Sequence, residues 1–308
     1  MQEVLRNRLI YGSMCFMLLF VLLWLDRQIE VWTSNPPWVH TGHGDYGLAG
    51  VGVFIFMMIA LPLGTIELVR MLSTDQIVPY KSIAIAGTTL LCLHAFLTQF
   101  EWFKPIAAST LEFIVVFGML AAALRQAWRR EVQDAMRHMA GTVLAVLYLG
   151  GLAWFLLALR VKHSLDPNRY QGSTAAVLMI LLVVKSTDIG AYFGGRKLGR
   201  HKLIPWLSPG KTWEGLACGL LMSGIVAILC TLVWPNKLHT LKPFYKAFTV
   251  GVIVGGIGQA GDLLESLMKR DAEVKDSGRL IPGIGGVLDI IDSPLLACPI
   301  AYILFSLV

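Results

Sequence analysis

Between Asp262 and Asp292 the chain mixes carboxylates, cations and glycines in a way that could do chemistry. Asp262 and Asp289 lie in apolar surroundings. The connection between them holds Lys269, Arg270, Lys275, Asp276 and Arg279, then Pro282-Gly283-Ile284-Gly285-Gly286. A carboxylate at membrane depth is expensive and usually marks a site. Carboxylates suit a hard divalent cation, Lys and Arg suit phosphate oxygens, and glycines such as Gly285 and Gly286 let backbone N–H groups approach an anion. The combination points to a polyphosphate held through magnesium, with Asp262 and Asp289 as ligands and Asp292 as a further one. A structural ion pair of Asp262 or Asp289 with Lys185 is the alternative.

A second group lies in AYFGGRKLGRHKLIPWLSPGKTWEG, residues 191–215. Lys211 and Thr212 stand just before an apolar stretch. There they could hold an anion by charge, hydroxyl and helix dipole together. Equally, Ser208 or Thr212 could cap the helix and Trp213 anchor it at the interface. Spacing alone leaves both readings open. The stretch is not a P-loop, because GxxxxGK[ST] is absent. Lys185, Asp188 and Tyr192 form a polar stripe in the preceding span. Gly255, Gly258, Asp262, Glu265 or Ser266, and Lys269 form another at three- and four-residue steps. Such faces look away from lipid and can line one cavity. The histidines form no HExxH and no GxSxG is present. The five cysteines form no CxxC, so zinc and disulfide chemistry have no support.

These residues need helices to position them. The chain is 56% hydrophobic and only 15% charged, whereas a soluble domain carries about 25% charged residues. That composition makes an all-α, polytopic membrane bundle. With about 20 apolar residues per crossing, candidate spans fall at 9–25, 47–69, 83–100, 107–124, 139–159, 174–194, 214–234, 247–267 and 287–307. The third and fourth, separated by EWFKP, could form a helical hairpin. Lys and Arg concentrate in connections that share one side if the N-terminus is cytoplasmic, which places loops 195–213 and 268–286 there. The net charge of +6 then reflects orientation and anionic lipid rather than nucleic acid. Residues 1–173 read as a scaffold or lipid entrance, and 174–308 as the catalytic region.

Two runs resemble the phosphatidate cytidylyltransferase (CDP-diacylglycerol synthase) family. One is Ser266-Leu267-Met268-Lys269-Arg270, Lys275-Asp276, Gly278, Pro282, Gly285-Gly286, Asp289 and Asp292. The other is Asp188, Ala191-Tyr192, Ser208-Pro209 and Lys211-Thr212-Trp213-Glu214-Gly215. Two positions depart from the family pattern: Ile284 stands where the family has histidine, and Ile290 where it has arginine. Either those roles are dispensable, or residues such as Arg279 or His201 cover them, or activity is altered.

The resemblance implies that CTP and phosphatidic acid give CDP-diacylglycerol and pyrophosphate, with magnesium, and room for a second cation. It implies phosphate-binding roles for Lys269, Arg270 and Lys275, with Asp276 orienting Lys275 or touching the nucleotide. Ser208, Lys211 and Thr212 would hold a phosphate, with Ser266, Gly285 and Gly286 nearby in the motif and Asp188 as a wall residue or cation ligand. The setting would be a bacterial cytoplasmic membrane, with the site facing the cytoplasm. A homodimer is permitted by the small-residue faces. The competing readings are a CTP-dependent lipid kinase, which would release CDP, an ion-coupled transporter, and a non-catalytic relative.

Overall fold

The computed structural model describes residues 2–34, 39–41, 44–74, 77–130, 132–162, 173–278, 280 and 285–307. Every expected apolar stretch is helical. The helices are α1 (Gln2–Trp32), α2 (Val51–Leu72), α3 (Lys81–Leu97), α4 (Lys104–Arg129), α5 (Ala135–Ala145), α6 (Leu152–Val161), α7 (Thr174–Leu198), α8 (Trp213–Val233), α9 (Phe244–Asp271) and α10 (Leu288–Leu307). Among the described residues seven helices are long and apolar enough to cross a bilayer, counting Ala135–Val161 as one, and α3 is a shorter apolar helix. The protein is therefore an all-α integral membrane bundle. Among the described residues strand is confined to two small antiparallel hairpins, β1 (Val39–Thr41) with β2 (Gly44–Tyr46), and β3 (Lys202–Ile204) with β4 (Ser208–Thr212).

Two details differ from the sequence reading. The span expected at 139–159 is interrupted by a π-helical turn, Val146–Gly151, between α5 and α6. The loop expected at 195–213 is largely ordered, because α7 continues to Leu198 and β3 and β4 fill most of the rest. Pro209 and Gly210 in Ser-Pro-Gly-Lys-Thr are poor strand formers. The strand character of this stretch comes from pairing, with Lys202 opposite Thr212 and Ile204 opposite Ser208.

The chain forms two compact units. The first comprises Met1–Val161 with Asp271–Ile290, and the second Lys162–Arg270 with Ile291–Val308. This division cuts across the functional one drawn at residue 173, since the signature loop groups with the N-terminal helices.

The first unit is tied by buried polar contacts. Arg160, at the end of α6 and fully buried, donates from Nε to Asp26 at 2.6 Å and from Nη2 to Glu30 at 2.6 Å. Asp26 also accepts from the Gly52 N–H at 2.9 Å, which joins α1 to the start of α2. The Thr65 and Thr88 hydroxyls meet at 3.2 Å between α2 and α3. The Tyr80 hydroxyl donates to Gln126. Each contact satisfies a group that would otherwise be stranded away from water.

In the second unit, small residues let helices approach closely. A methyl added at Gly190 would come within 3.0 Å of the Gly219 backbone, and one at Gly251 within 2.6 Å of the Ala227 side chain. The start of α7 is capped by Ser173, which accepts from the Ala176 N–H at 3.3 Å.

Candidate active site

In the second unit α7, α8, α9, α10 and the β3–β4 hairpin supply the polar side chains. A cavity of about 410 Å³ is lined by Asp188, Tyr192, Ser208, Lys211, Gln259 and Asp262, among others. Asp188 accepts from the Gln259 amide at 2.5 Å, and Lys185 stands 3.6 Å from its other oxygen. Lys211 reaches Asp262 at 2.5 Å. Lys185 thus pairs with Asp188 within its own helix, and the partner of Asp262 is Lys211 instead. One turn further along α9, Lys269 holds Glu265 at 2.8 Å, with the Glu265 side chain 2% exposed.

Asp262, Glu265 and Asp292 each offer a carboxylate oxygen, and these atoms lie within 4.8 Å of one another. Three anionic oxygens that close repel one another unless cations intervene. The donor set is all oxygen, which suits a hard divalent ion such as magnesium. Glu265 and Asp292 are buried, so their negative charge is poorly screened and a bound cation would interact with it strongly. Ser293 donates to Asp292 at 3.2 Å and leaves its position fixed.

Thr212 serves as the N-cap of α8, accepting from the Gly215 N–H at 3.1 Å. Its hydroxyl sits against glycines: a methyl on Gly195 would come within 3.0 Å of it and one on Gly199 within 2.9 Å. Lys211, one residue earlier, is directed at the cavity. The two readings of this pair therefore divide between its members, with the cap falling to Thr212 and the charge to Lys211. Glu214, in the first turn of α8, accepts from the backbone N–H groups of Arg200 at 3.1 Å and His201 at 3.2 Å. The His201 ring nitrogen lies 2.6 Å from the same carboxylate. This fastens the hairpin to the helix and leaves His201 engaged with Glu214.

The first unit holds the other part of the signature. Asp289, in the first turn of α10, accepts at Oδ2 from the Gly286 N–H at 2.6 Å, the Ser277 hydroxyl at 2.8 Å and the Ser277 N–H at 3.1 Å. Gly285 has φ +126°, which favours glycine, and a methyl there would lie 2.3 Å from Asp289 Oδ2. The glycines were read as making room for a bound anion. In the structure the anion that Gly285 and Gly286 approach is a carboxylate of the chain itself. Lys275 and Asp276 are exposed in the connecting loop.

Of the expected residues, Asp188, Ser208, Lys211, Thr212 and Asp262 line one cavity. Asp292 joins Asp262 in the carboxylate cluster. Ser266 is half-buried on α9, and Arg270 is exposed near its end. Ile290 is half-buried on α10. Arg279, Pro282, Gly283 and Ile284 lie outside the described residues. Sequence reasoning missed Gln259, Ser277 and the ligand geometry of Glu265. Gln259 had a legible signal, a polar amide inside an apolar run three residues before Asp262. Glu265 was visible on the polar face of its helix but was not set apart from Ser266.

Comparison with known proteins identifies the family of the chain. Residues 46–308 match the cytidylyltransferase family. A phosphatidate cytidylyltransferase of Bacillus subtilis (strain 168) is 30% identical over 83% of this chain and 91% of its own length. One from Staphylococcus epidermidis (strain ATCC 35984) is 34% identical over 82% of this chain and 90% of its own. The uncharacterized protein YnbB of Escherichia coli (strain K12) is 37% identical over 53% of this chain and 50% of its own length.

Proposed function

Because this chain belongs to the cytidylyltransferase family, we propose that it is a phosphatidate cytidylyltransferase, converting CTP and phosphatidic acid to CDP-diacylglycerol and pyrophosphate. It is a membrane-embedded nucleotidyltransferase of phospholipid biosynthesis. The observation that carries the reading is the cavity whose wall joins Lys211 to Asp262, beside the carboxylates of Glu265 and Asp292.

A phosphate-monoester oxygen of phosphatidate attacks the α-phosphorus of CTP. The bond from that phosphorus to the bridging oxygen breaks, and pyrophosphate leaves in line. The attacking monoester already carries negative charge near neutral pH, so no strong base is needed. The work is positioning and charge neutralisation. Lys211 and Lys269 each sit on a carboxylate of the cluster. Arriving phosphate oxygens compete for those ammonium groups, which releases Asp262 and Glu265 to a cation. Asp262, Glu265 and Asp292 would hold magnesium. When bound, magnesium neutralises charge on the nucleotide phosphates and aligns them. Asp188, held by Gln259, lines the cavity wall together with Lys211. Ser208 offers a hydroxyl to a phosphate. Arg270, Lys275, Asp276 and Ser266 keep the roles the family motif implies, and Asp289 keeps the cation-ligand role read from the sequence.

The chain is an integral membrane protein. We place it in a bacterial cytoplasmic membrane with loops 195–213 and 268–286 on the cytoplasmic side, where CTP is found. A homodimer would give a partner to α4, whose face carrying Glu112, Phe113, Phe117 and Leu120 is exposed. The test is CTP labelled at the α- and γ-phosphates, supplied with phosphatidic acid and magnesium to purified protein. Alpha-label in the lipid and γ-label in pyrophosphate are expected. Gamma-label in the lipid would make the protein a kinase. A folded protein that binds CTP and transfers neither label would be non-catalytic.

A further inference from the structure

Glu67 lies on α2, far from either sequence motif, yet it meets the signature loop directly. Its Oε1 accepts from the Val287 N–H at 3.1 Å, and its Oε2 from the Leu288 N–H at 2.9 Å. These are orphan donors at the start of α10, so Glu67 caps that helix from another part of the chain. The Ser277 hydroxyl lies 3.2 Å from Glu67 and 2.8 Å from Asp289. A hydroxyl has one proton, and the shorter distance assigns it to Asp289. Glu67 is therefore held mainly by the two backbone donors.

The loop is shaped around this carboxylate. A methyl on Gly278 would come within 2.4 Å of Glu67 Oε1, and one on Gly286 within 2.3 Å of Oε2. Gly286 in turn donates to Asp289 at 2.6 Å. Ser277 is 4% exposed, so its contacts are shielded from water. Glu67, Ser277, Gly286 and Asp289 form one connected set. Moving Glu67 moves the turn that aims Asp289.

We propose that Glu67 is a positioning residue for the cytidylyl transfer, capping α10 and clamping residues 277, 278 and 285–289 so that Asp289 is presented in one orientation. The proposal rests on the reaction proposed above and extends it, since a residue of the N-terminal region then shapes the signature loop. Glutamine in its place keeps the volume but turns an NH2 group toward one of the two N–H donors. Aspartate keeps the charge but is one methylene shorter.

The experiment compares wild type, Glu67→Gln and Glu67→Asp, each in detergent with an intact melting transition. Hydrogen exchange is read along the chain, and initial rates are measured against CTP, phosphatidic acid and magnesium. For Glu67→Gln, the amides of 277, 278 and 285–290 are expected to exchange about tenfold faster, with exchange in the helices outside α10 unchanged. Turnover should fall about tenfold and half-saturation by magnesium should rise, while KM for phosphatidic acid stays within about twofold. Glu67→Asp should fall between the two.

Wild-type exchange in the loop, or wild-type turnover and magnesium dependence, overturns the proposal. So does loss of protection spread evenly over the protein, which marks a scaffold residue. If Glu67→Gln does not fold, Ser277→Ala reads the same set and should give the same selective pattern at smaller size; wild-type behaviour there overturns the proposal too. Exchange is read without turnover. A wild-type protein inactive in cytidylyl transfer would therefore overturn the reaction alone, and the loop amides would still decide whether Glu67 holds them.

Discussion

The signature-loop carboxylates of the first unit and the cavity carboxylates of the second are held by different kinds of partner. In the first unit, Glu67 and Asp289 accept from backbone N–H groups and a buried serine hydroxyl. In the second, Asp262 and Glu265 are held by the lysines Lys211 and Lys269, and Asp188 by a glutamine amide with a more distant lysine. A backbone donor is part of the fold and does not leave. A lysine ammonium at the end of a flexible stem can swing to another anion at little cost. The first arrangement fixes geometry, and the second waits for a ligand. That contrast is why Asp262 and Glu265 are assigned to cation and phosphate exchange, and Glu67 to shaping the loop that holds Asp289.

Substitutions that change charge without changing volume can break the contrast. Asp262→Asn should lower turnover by about a thousandfold with an unchanged melting transition, as expected for loss of a charge that acts in the transition state. Full turnover in the labelled-CTP assay would end its assignment to the metal. Lys211→Met should cost about a hundredfold. Combined with Asp262→Asn it should cost much less than the product of the two, because the side chains touch; simple multiplication of the two effects would mean they act separately.

Asp289→Asn sharpens the comparison from the other side. The amides of 277, 278, 285 and 286 should lose about tenfold in exchange protection, whereas those same amides should be unaffected by Asp262→Asn. Equal loss in both variants would erase the distinction between fixed and exchangeable carboxylates. The smallest effect is expected for Lys104→Ala. Its pair with Glu101 is solvent-exposed on both sides, so stability should shift by about 0.5 kcal/mol or less. A shift of several degrees in melting temperature would show that this surface pair is worth more than its exposure allows.

The helical frame was legible because each span announces itself locally, as an unbroken apolar run whose neighbours in sequence are its neighbours in the helix. Asp262 and Asp188 were legible for a related reason, since charge inside such a run needs a partner, and Lys211 was legible from its place just before one. The partners themselves were not. Val287 meets Glu67 across 220 positions, and Gln259 meets Asp188 across 71, distances at which a single sequence carries no pairing signal. The glycines of the signature turn were seen, but their reason was not. Gly286 is small because Glu67 and Ser277 stand where its side chain would go, and only packing reveals that. The β3–β4 hairpin was hidden by Gly210 and Pro209, which argue for turn and against strand.

The buried Arg160 carries a consequence for how the chain is made. Asp26 leaves the ribosome 134 residues ahead of the guanidinium that pairs with it. At about 5–20 residues per second, synthesis alone separates the two by roughly 7–27 s. For that interval α1 holds a carboxylate whose permanent counterion does not yet exist. The first helix can reach its final seat only after α6 has emerged, so the order of assembly in the membrane is set by translation.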